Sequence, residues 1–520
     1  MAFAYFISRF LGLLREMSIA HQFGAGKLTD IYNASFLIPD VLNYMLAGGA
    51  FSIVLIPMLS KYVTDTTPPQ LTTKGKEIFT AIFTPITTGL IGLTIISIIL
   101  TPAISRLIYP DFAKNNVQFD LLVRLTRLIL PAQVFFMAGG LINATLRARG
   151  DFRGNAWGPN IYNLGIILGV LFLGRSMGVQ GASLGVLAGA FVGPFLMCAL
   201  LAGNTIPYTF NLNFKSPPFI EYIKLNLPLM IGISLLTVDQ FFIRYFGAQT
   251  GVTPGTITCL NYSRTIMLVP ITLVGQAVGQ VSLTYLAQLW QSGKIKEFSI
   301  TLSHTIRGVV FLSFIVSGLI FLLAQPIINI LLVRGKFTIT NSHYTTELLR
   351  YMIMAVPPFA ALQILVNGYY AKKNTLRPMV VSSICTIISA IVYYLLSFHM
   401  KGPGIAIASA ICFWIIFLAT LWDYTRRYRK VEDVMIRKLT GTMLKSFLVT
   451  LFGVVVCFIL FENPGIINFN PDIKLSAFIR IILEGGVFSG CSLGATLLLG
   501  GEEADIIQKL IKKIFNKILR

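Results

Sequence analysis

The sequence predicts an all-α, polytopic membrane protein of about fourteen transmembrane helices, and three observations predict it. Of 520 residues 55% are hydrophobic and 12% charged, with a mean hydropathy of +0.75; soluble proteins carry about twice that charged fraction. Apolar runs near the ~20 residues that cross a bilayer recur along the whole chain. Lysine and arginine concentrate in alternate breaks between those runs, the bias expected of cytoplasmic loops. Short loops leave no room for a sizeable soluble catalytic domain.

Apolar runs bounded by charged, Gly or Pro breaks place spans near 2–22, 30–60, 78–104, 119–146, 156–174 and 179–203, then near 219–246, 254–289, 298–330, 345–371, 378–398 and 404–425. Two more follow near 441–461 and 476–500. Arg9, Arg15 and Glu16 interrupt the first run and no small-residue cleavage site follows it, so it reads as a charged first span, not a cleavable signal peptide.

The two blocks of six look like copies. LIPDVLNYMLAGGAFSIVLIPML at 37–59 aligns with MLVPITLVGQAVGQVSLTYLAQL at 267–289 through Pro39 and Pro270, and Pro131 and Asn143 answer to Pro357 and Asn367. An even number of spans per copy sends both in from the same side, giving two six-helix lobes related by a pseudo-two-fold axis along the membrane normal, with the substrate path between them. The organisation expected is therefore an N-lobe at 1–212, a C-lobe at 213–430, two extra C-terminal helices within 431–500, and a tail at 501–520. In that tail Ile506, Leu510, Ile514 and Leu519 alternate with Lys509, Lys512, Lys513 and Lys517, the pattern of an interfacial helix on an anionic leaflet.

Charge sets the orientation. The 42 Lys and Arg outnumber 21 Asp and Glu, a net +21. The excess, which in a soluble chain would suggest nucleic acid, follows here from positive-inside loops and an anionic inner leaflet. Alternate loops from Lys61 to Lys438 hold nineteen basic residues against eight in the opposite set, which places both termini in the cytoplasm. The six cysteines lie singly in apolar stretches and read as small core residues.

Charged side chains inside spans are the informative ones, because each costs about 2.5–3.5 kcal/mol at a helix centre even on insertion scales. They are Arg9, Arg15, Glu16, Asp40, Arg124, Arg127, Asp239, Arg244, Arg264, Arg307, Arg350, Arg480 and Glu484. Arg124, Arg127 and Arg350 lie in first turns and can snorkel. Arg9 and Arg15, six apart on the first span, can border one wide cavity but not a narrow stripe; Glu16 offers the alternative of a structural pair. Arg264 sits six residues before Pro270, where the first copy has Asn33, so the repeat does not require it. Glu16 and Asp239 stand at matching places, eight before Gly24 and Gly247, while Arg15 is answered by Val238. Three arginines facing one cavity would make an anion site, since guanidinium stays charged and offers forked donors to phosphate oxygens. A phosphate-bearing substrate is the first expectation. Gly and Pro at span centres (Pro39, Gly48, Gly49, Gly139, Gly140, Pro270, Gly275, Gly279) suit bendable helices or close helix packing. There is no Walker A sequence, HExxH or GxSxG, and His21, His304, His343 and His399 are scattered singly, so an enzyme or ATP-driven pump is not expected.

The run SRFLGLLRE…FGAGKLTD from Ser8 to Asp30, continuing into IPDVLNYMLAGGAFSIVLIPMLSKY, resembles the MurJ/MviN family of lipid II flippases, within the multidrug/oligosaccharidyl-lipid/polysaccharide exporter superfamily. NYSRTIMLVP matches the family's eighth-span stretch with its arginine. The resemblance implies export of lipid II, an undecaprenyl-pyrophosphate-linked disaccharide-pentapeptide, across the bacterial cytoplasmic membrane by alternating access, with the protein acting as a monomer. It places the family's cavity arginines on Arg9, Arg15 and Arg264, its acid after the first span on Asp30, and a groove for the polyprenyl tail in the last two spans. It implies no cofactor, with energy from the membrane potential or a coupling cation. The chain departs from the family where Asn43 replaces a second-span arginine, Gly48 an acid, and Asp40 a common Asn.

Other readings stay open from the residues alone. A flippase for another polyprenyl-linked glycan fits the missing arginine, and a drug/cation antiporter fits Glu16 and Asp239 as ion-coupling acids. A non-transporting scaffold for cell-wall enzymes would use the basic loop at 426–438.

Overall fold

Helices carry the described chain because a backbone in hydrocarbon must satisfy its own N–H and C=O groups. The structure, a computed structural model, describes residues 2–47, 50–66, 69–203, 212–231, 235–249, 251–461 and 474–500. Gly48, Gly49 and the basic tail at 501–520 lie outside the described residues.

The first part of the chain forms α1 (Ala2–Phe23), α2 (Lys27–Ala34), α3 (Leu37–Ala47), α4 (Ala50–Ser60), α5 (Thr73–Ile108), α6 (Pro110–Ala113), α7 (Asn116–Ile129), α8 (Ala132–Ala148), α9 (Arg153–Leu168), α10 (Gly174–Met177), α11 (Val179–Ala190) and α12 (Cys198–Ala202). The second part forms α13 (Pro217–Ile231), α14 (Leu235–Gly247), α15 (Thr256–Pro270), α16 (Ala277–Gln291), α17 (Ile295–Leu332), α18 (Ile339–Met352), α19 (Val356–Ala371), α20 (Leu376–Arg427), α21 (Arg429–Phe461) and α22 (Lys474–Leu499). Wide π-helical turns at Gly169–Leu173, Phe191–Met197 and Ile271–Gln276 interrupt this series. The last directly follows Pro270, whose missing N–H frees a carbonyl of the preceding turn.

Among the described residues nine helices are long and apolar enough to cross a membrane. Each coincides with an anticipated span, and the 52-residue α20 with two of them, since Lys401 at φ +55° breaks it between 398 and 404. The anticipated spans that do not qualify are those near 2–22, 30–60, 219–246 and 254–289. They are carried by charged α1 and by the shorter helices α2–α4, α13–α14 and α15–α16. These are the first two spans of each anticipated copy.

The chain packs as two compact units, Met1–Thr258 with Arg334–Phe337, and Cys259–Val333 with Thr338–Arg520. This division runs through α15, whereas the anticipated lobes divide the sequence at 212. The reason is local: Asp40 on α3 pairs with Arg244 on α14, and Asp30 on α2 binds the start of α15, so α14 and the first residues of α15 belong by packing with the first block. Residues 334–337 join it because the Lys336 N–H donates to His21 O at the end of α1. Gly24 and Gly335, both at positive φ, line that approach, and a Cβ on either would collide with the facing backbone.

In the first unit α9 and α11 pack backbone to backbone through glycines. A Cβ on Gly165 would lie 2.6 Å from the Gly189 Cα, and one on Gly185 the same distance from the Gly165 carbonyl oxygen. Small residues let membrane helices approach and gain dispersion contacts that lipid cannot give. Gly139 works likewise, facing Pro194 of the π-helical turn, so packing accounts for it. Ahead of α9, Asp151 accepts from the Arg153 guanidinium at 2.8 Å and from its backbone N–H at 3.0 Å. The Arg153 hydrogen bonds hold that carboxyl below the usual carboxylate range.

In the second unit the turn between α19 and α20 is fixed by an aromatic box. The Lys372 ammonium lies 3.3 Å from the Tyr428 ring centroid, 4.5 Å from Tyr424, 4.9 Å from Phe298 and 5.2 Å from Trp290. Cation–π attraction holds it there. Beside it Asp423 accepts from Tyr369 Oη at 2.7 Å and from Arg377 at 2.9 Å. Five cysteines are buried and Cys491 half-buried, all unpaired, as their apolar settings suggested.

Gly165→Leu forces the α9–α11 interface apart, at a cost of about 1–3 kcal/mol from overpacking alone. Gly92→Ala, at a helical position where a Cβ meets nothing within 4 Å, should be neutral or stabilising by up to about 1 kcal/mol. Thermal unfolding of the two purified variants in detergent checks both signs.

Candidate substrate-binding site

The two arginines of α1 differ: one is held and the other is exposed. Arg15 donates from Nε and Nη2 to Glu16 Oε1, at 3.1 and 2.5 Å, and from Nη1 to Asn163 Oδ1 on α9 at 3.0 Å. Neighbours at i and i+1 do not share a helix face, so the long arginine stem must fold round to reach Glu16. The pair is part-buried, with side chains 28% and 17% exposed. α9 also fixes α1 through Asn160 Nδ2, which donates to the Ala4 carbonyl at 3.1 Å. Arg9, two turns earlier, is exposed and has no hydrogen-bond or ion-pair partner among the described residues. Glu16 thus pairs with Arg15, the structural alternative read from the sequence, and neutralises it locally. Arg9 keeps its charge available.

Asp30 is only 5% exposed, and its carboxylate is fully engaged. It accepts from Gly255 N–H at 2.6 Å, Thr258 N–H at 2.9 Å and the Thr258 hydroxyl at 2.7 Å. The first N–H groups of a helix lack intrahelical acceptors and carry the positive end of its dipole. Asp30 therefore caps α15 from a distant point in the sequence. Gly255, at φ +94°, permits this, and a side chain there would strike the Ala25 carbonyl. Asn33 Nδ2 completes the cluster by donating to Thr258 Oγ1 at 3.1 Å.

Asn43 is half-buried on α3 and has no hydrogen-bond partner among the described residues. Near it in sequence, Asp40 Oδ2 accepts from Arg244 Nη1 at 2.6 Å, with the guanidinium also over the Phe36 ring at 5.9 Å. Asp239 is 2% exposed on α14. Arg264 is half-buried on α15 and belongs to the second unit. There Arg307 Nε donates to Thr442 Oγ1 at 2.8 Å, and Arg480 pairs with Glu484 one turn on at 2.9 Å. Arg127 and Arg350 donate to the Ile98 and Phe321 carbonyls, in keeping with peripheral roles.

Sequence reasoning missed Asn163 and Asn160, though three asparagines in the apolar run NAWGPNIYNLGIIL were a visible signal. It saw Asp40 and Arg244 as separate charges; nothing in the sequence shows two residues 204 apart to be partners. Among the described residues no group of three His, Cys, Asp or Glu could hold a metal ion.

The fold defines the class first. A solved multidrug-resistance MATE transporter of the MOP superfamily, in an inward-facing conformation, superposes with a TM-score of 0.67 at 11% identity, over 82% of this chain and 96% of that one. A solved lipid II flippase MurJ in an inward closed conformation superposes with a TM-score of 0.75 at 21% identity, over 94% and 97%. The chain therefore has the polytopic helical fold of that transporter group.

The family follows from the sequence. The model of the lipid II flippase MurJ family matches residues 19–475, and the chain belongs to that family. The probable lipid II flippase MurJ of Rhizobium tropici is 26% identical over 453 residues, covering 86% of this chain and 84% of the relative.

If Asp30 caps α15, Asp30→Ala costs about 2 kcal/mol, in the upper range for lost caps. Asp30→Asn, which keeps an acceptor oxygen, costs less than half of that. Thermal unfolding of both variants orders them; equal losses would contradict the capping role.

Proposed function

We infer that this chain moves lipid II across the bilayer, carrying its headgroup from the inner to the outer leaflet of the cytoplasmic membrane by alternating access. Membership of the lipid II flippase MurJ family carries this reading above the antiporter and scaffold alternatives. The protein is a multi-pass membrane transporter with both termini in the cytoplasm, the side chosen by its basic loops.

The physical task is to take a pyrophosphate and a polar glycopeptide past hydrocarbon while the polyprenyl tail stays in lipid. Arg9, Arg15 and Arg264 are proposed to contact the pyrophosphate. Arg9 meets it with an uncompensated guanidinium. Arg15 starts out bound to Glu16, so an arriving phosphate competes with that carboxylate for the same two donors. Such an exchange lets Arg15 be satisfied both with and without substrate, which avoids leaving a bare charge at membrane depth. Asn43, a neutral amide in place of the family's arginine, contributes a hydrogen bond without charge. The α22 region, with exposed Leu475, Phe478, Ile482 and Leu498, offers the polyprenyl tail an apolar surface. The driving force is proposed to be the membrane potential or a cation gradient, with Asp239 as the acid for a coupling cation. The chain is proposed to act as a monomer.

In bacteria depleted of their own flippase, the wild-type chain should restore growth. Arg15→Ala and Arg264→Ala should lower rescue at least tenfold with undiminished membrane-inserted protein on an immunoblot. Arg15→Lys, which keeps the charge but not the fork, should fall between. Full rescue by either alanine variant would defeat the arginine assignment.

A further inference from the structure

In the first unit α7 carries two arginines outside the set proposed for the pyrophosphate, and both are exposed. Pro102 of α5 has no N–H to give the carbonyl of Ile98, four residues before it. Arg127 of α7 supplies the missing donor: its Nε donates to Ile98 O at 3.0 Å. That bond fixes the guanidinium by one edge and leaves its Nη groups without a partner among the described residues. Arg124, three residues earlier and so a neighbour on the same face of α7, has no hydrogen-bond or ion-pair partner among the described residues. Asp120, one turn before it, is exposed and pairs with neither arginine.

The internal repeat separates what the fold requires here from what it does not. In the second unit Arg350 Nε of α18 donates to the Phe321 carbonyl of α17 at 3.3 Å, in the turn before Pro326. Each clamp joins residues 29 apart in sequence, so the clamp recurs with the repeat. At the place of Arg124, three residues before the clamping arginine, the second copy has Glu347. An acid there meets the arginine with opposite charge. The first copy instead sets two cations side by side, which on a span surface calls for an anion from outside.

Depth and surroundings identify that anion. The 36-residue α5 is about 54 Å long against about 30 Å of hydrocarbon, so about 12 Å of helix extends beyond the hydrocarbon at each end if it is centred. Ile98 lies about 15 Å from the end of α5 at Ile108, which puts the Arg127 clamp at about the depth where headgroups begin. Over the same turns Ile95, Ile96, Ile99 and Leu100 are exposed, as on a surface that faces acyl chains. Guanidinium stays charged and offers phosphate oxygens a forked pair of donors.

We propose that Arg124 and Arg127 form a site for the phosphate of an anionic bilayer lipid, held by the Nη groups of Arg127 and the guanidinium of Arg124, with an acyl chain lying along Ile95 and Ile99 of α5. The lipid belongs to the leaflet opposite the basic loops and is separate from the transported substrate, whose proposed contacts are on other helices.

The test is photolabelling of the full chain in detergent with phosphatidylglycerol carrying a diazirine in its acyl chain, competed with unmodified phosphatidylglycerol or with phosphatidylcholine of the same chains, and peptide mapping by mass spectrometry. Label should fall on 95–100 and 124–127, and phosphatidylglycerol should suppress it at least fivefold more strongly than phosphatidylcholine. Arg124→Glu, which gives the first copy the residue type of the second, should reduce label there at least fivefold with an unchanged unfolding temperature. Arg124→Gln, which removes the charge without reversing it, carries the same expectation should Arg124→Glu disturb the fold. Arg124→Lys, which keeps the charge but not the fork, should retain more label than either. Equal competition by the two lipids, or label unchanged in both Arg124→Glu and Arg124→Gln, would overturn the proposal. The second result would mean that the arginines only snorkel to water.

Discussion

A bilayer interior supplies no hydrogen bonds, so every charge built into a span must bring its partner with it. Much of the described structure follows from that constraint. Arg15 has Glu16 and Asn163, Arg244 has Asp40, Arg307 has Thr442, and Arg480 has Glu484. Asp30 meets the same requirement with backbone, taking the free N–H groups at the start of α15. The Asp40–Arg244 and Asp30 contacts join segments distant in sequence, and they place α14 and the start of α15 with the first block. Arg9, which is exposed, has no hydrogen-bond or ion-pair partner among the described residues.

The fold was legible because its signals are local and repeated. Length, apolar runs and basic loops need no knowledge of tertiary contacts, and each of the nine qualifying helices falls on an anticipated span. Charged α1 does not qualify because Arg9, Arg15 and Glu16 lie within it. Within 256–291, Pro270 is followed by a wide turn that hydropathy does not register.

The candidate site was legible as a set of residue types but not as a set of partnerships. The sequence picks out Arg9, Arg15, Glu16 and Asp30 because charge in hydrocarbon is expensive. It cannot say that the Arg15 guanidinium turns onto Glu16 or that Asp30 is spent on a helix terminus, since the first depends on side-chain orientation and the second on a contact 225 residues away in sequence. The Lys372 box makes the same point: the residue reads as one more cytoplasmic charge until four aromatic rings, from α16, α17 and the end of α20, are seen around it.

The central claim is that this chain carries the lipid II headgroup outward. It is tested most directly by inducing the chain in bacteria depleted of their own flippase and labelling intact cells with an impermeant amine-reactive reagent that modifies the lipid II peptide. The account predicts that labelled lipid II rises with the amount of chain in the membrane. Labelling that stays at the depleted level with abundant membrane-inserted chain would contradict it.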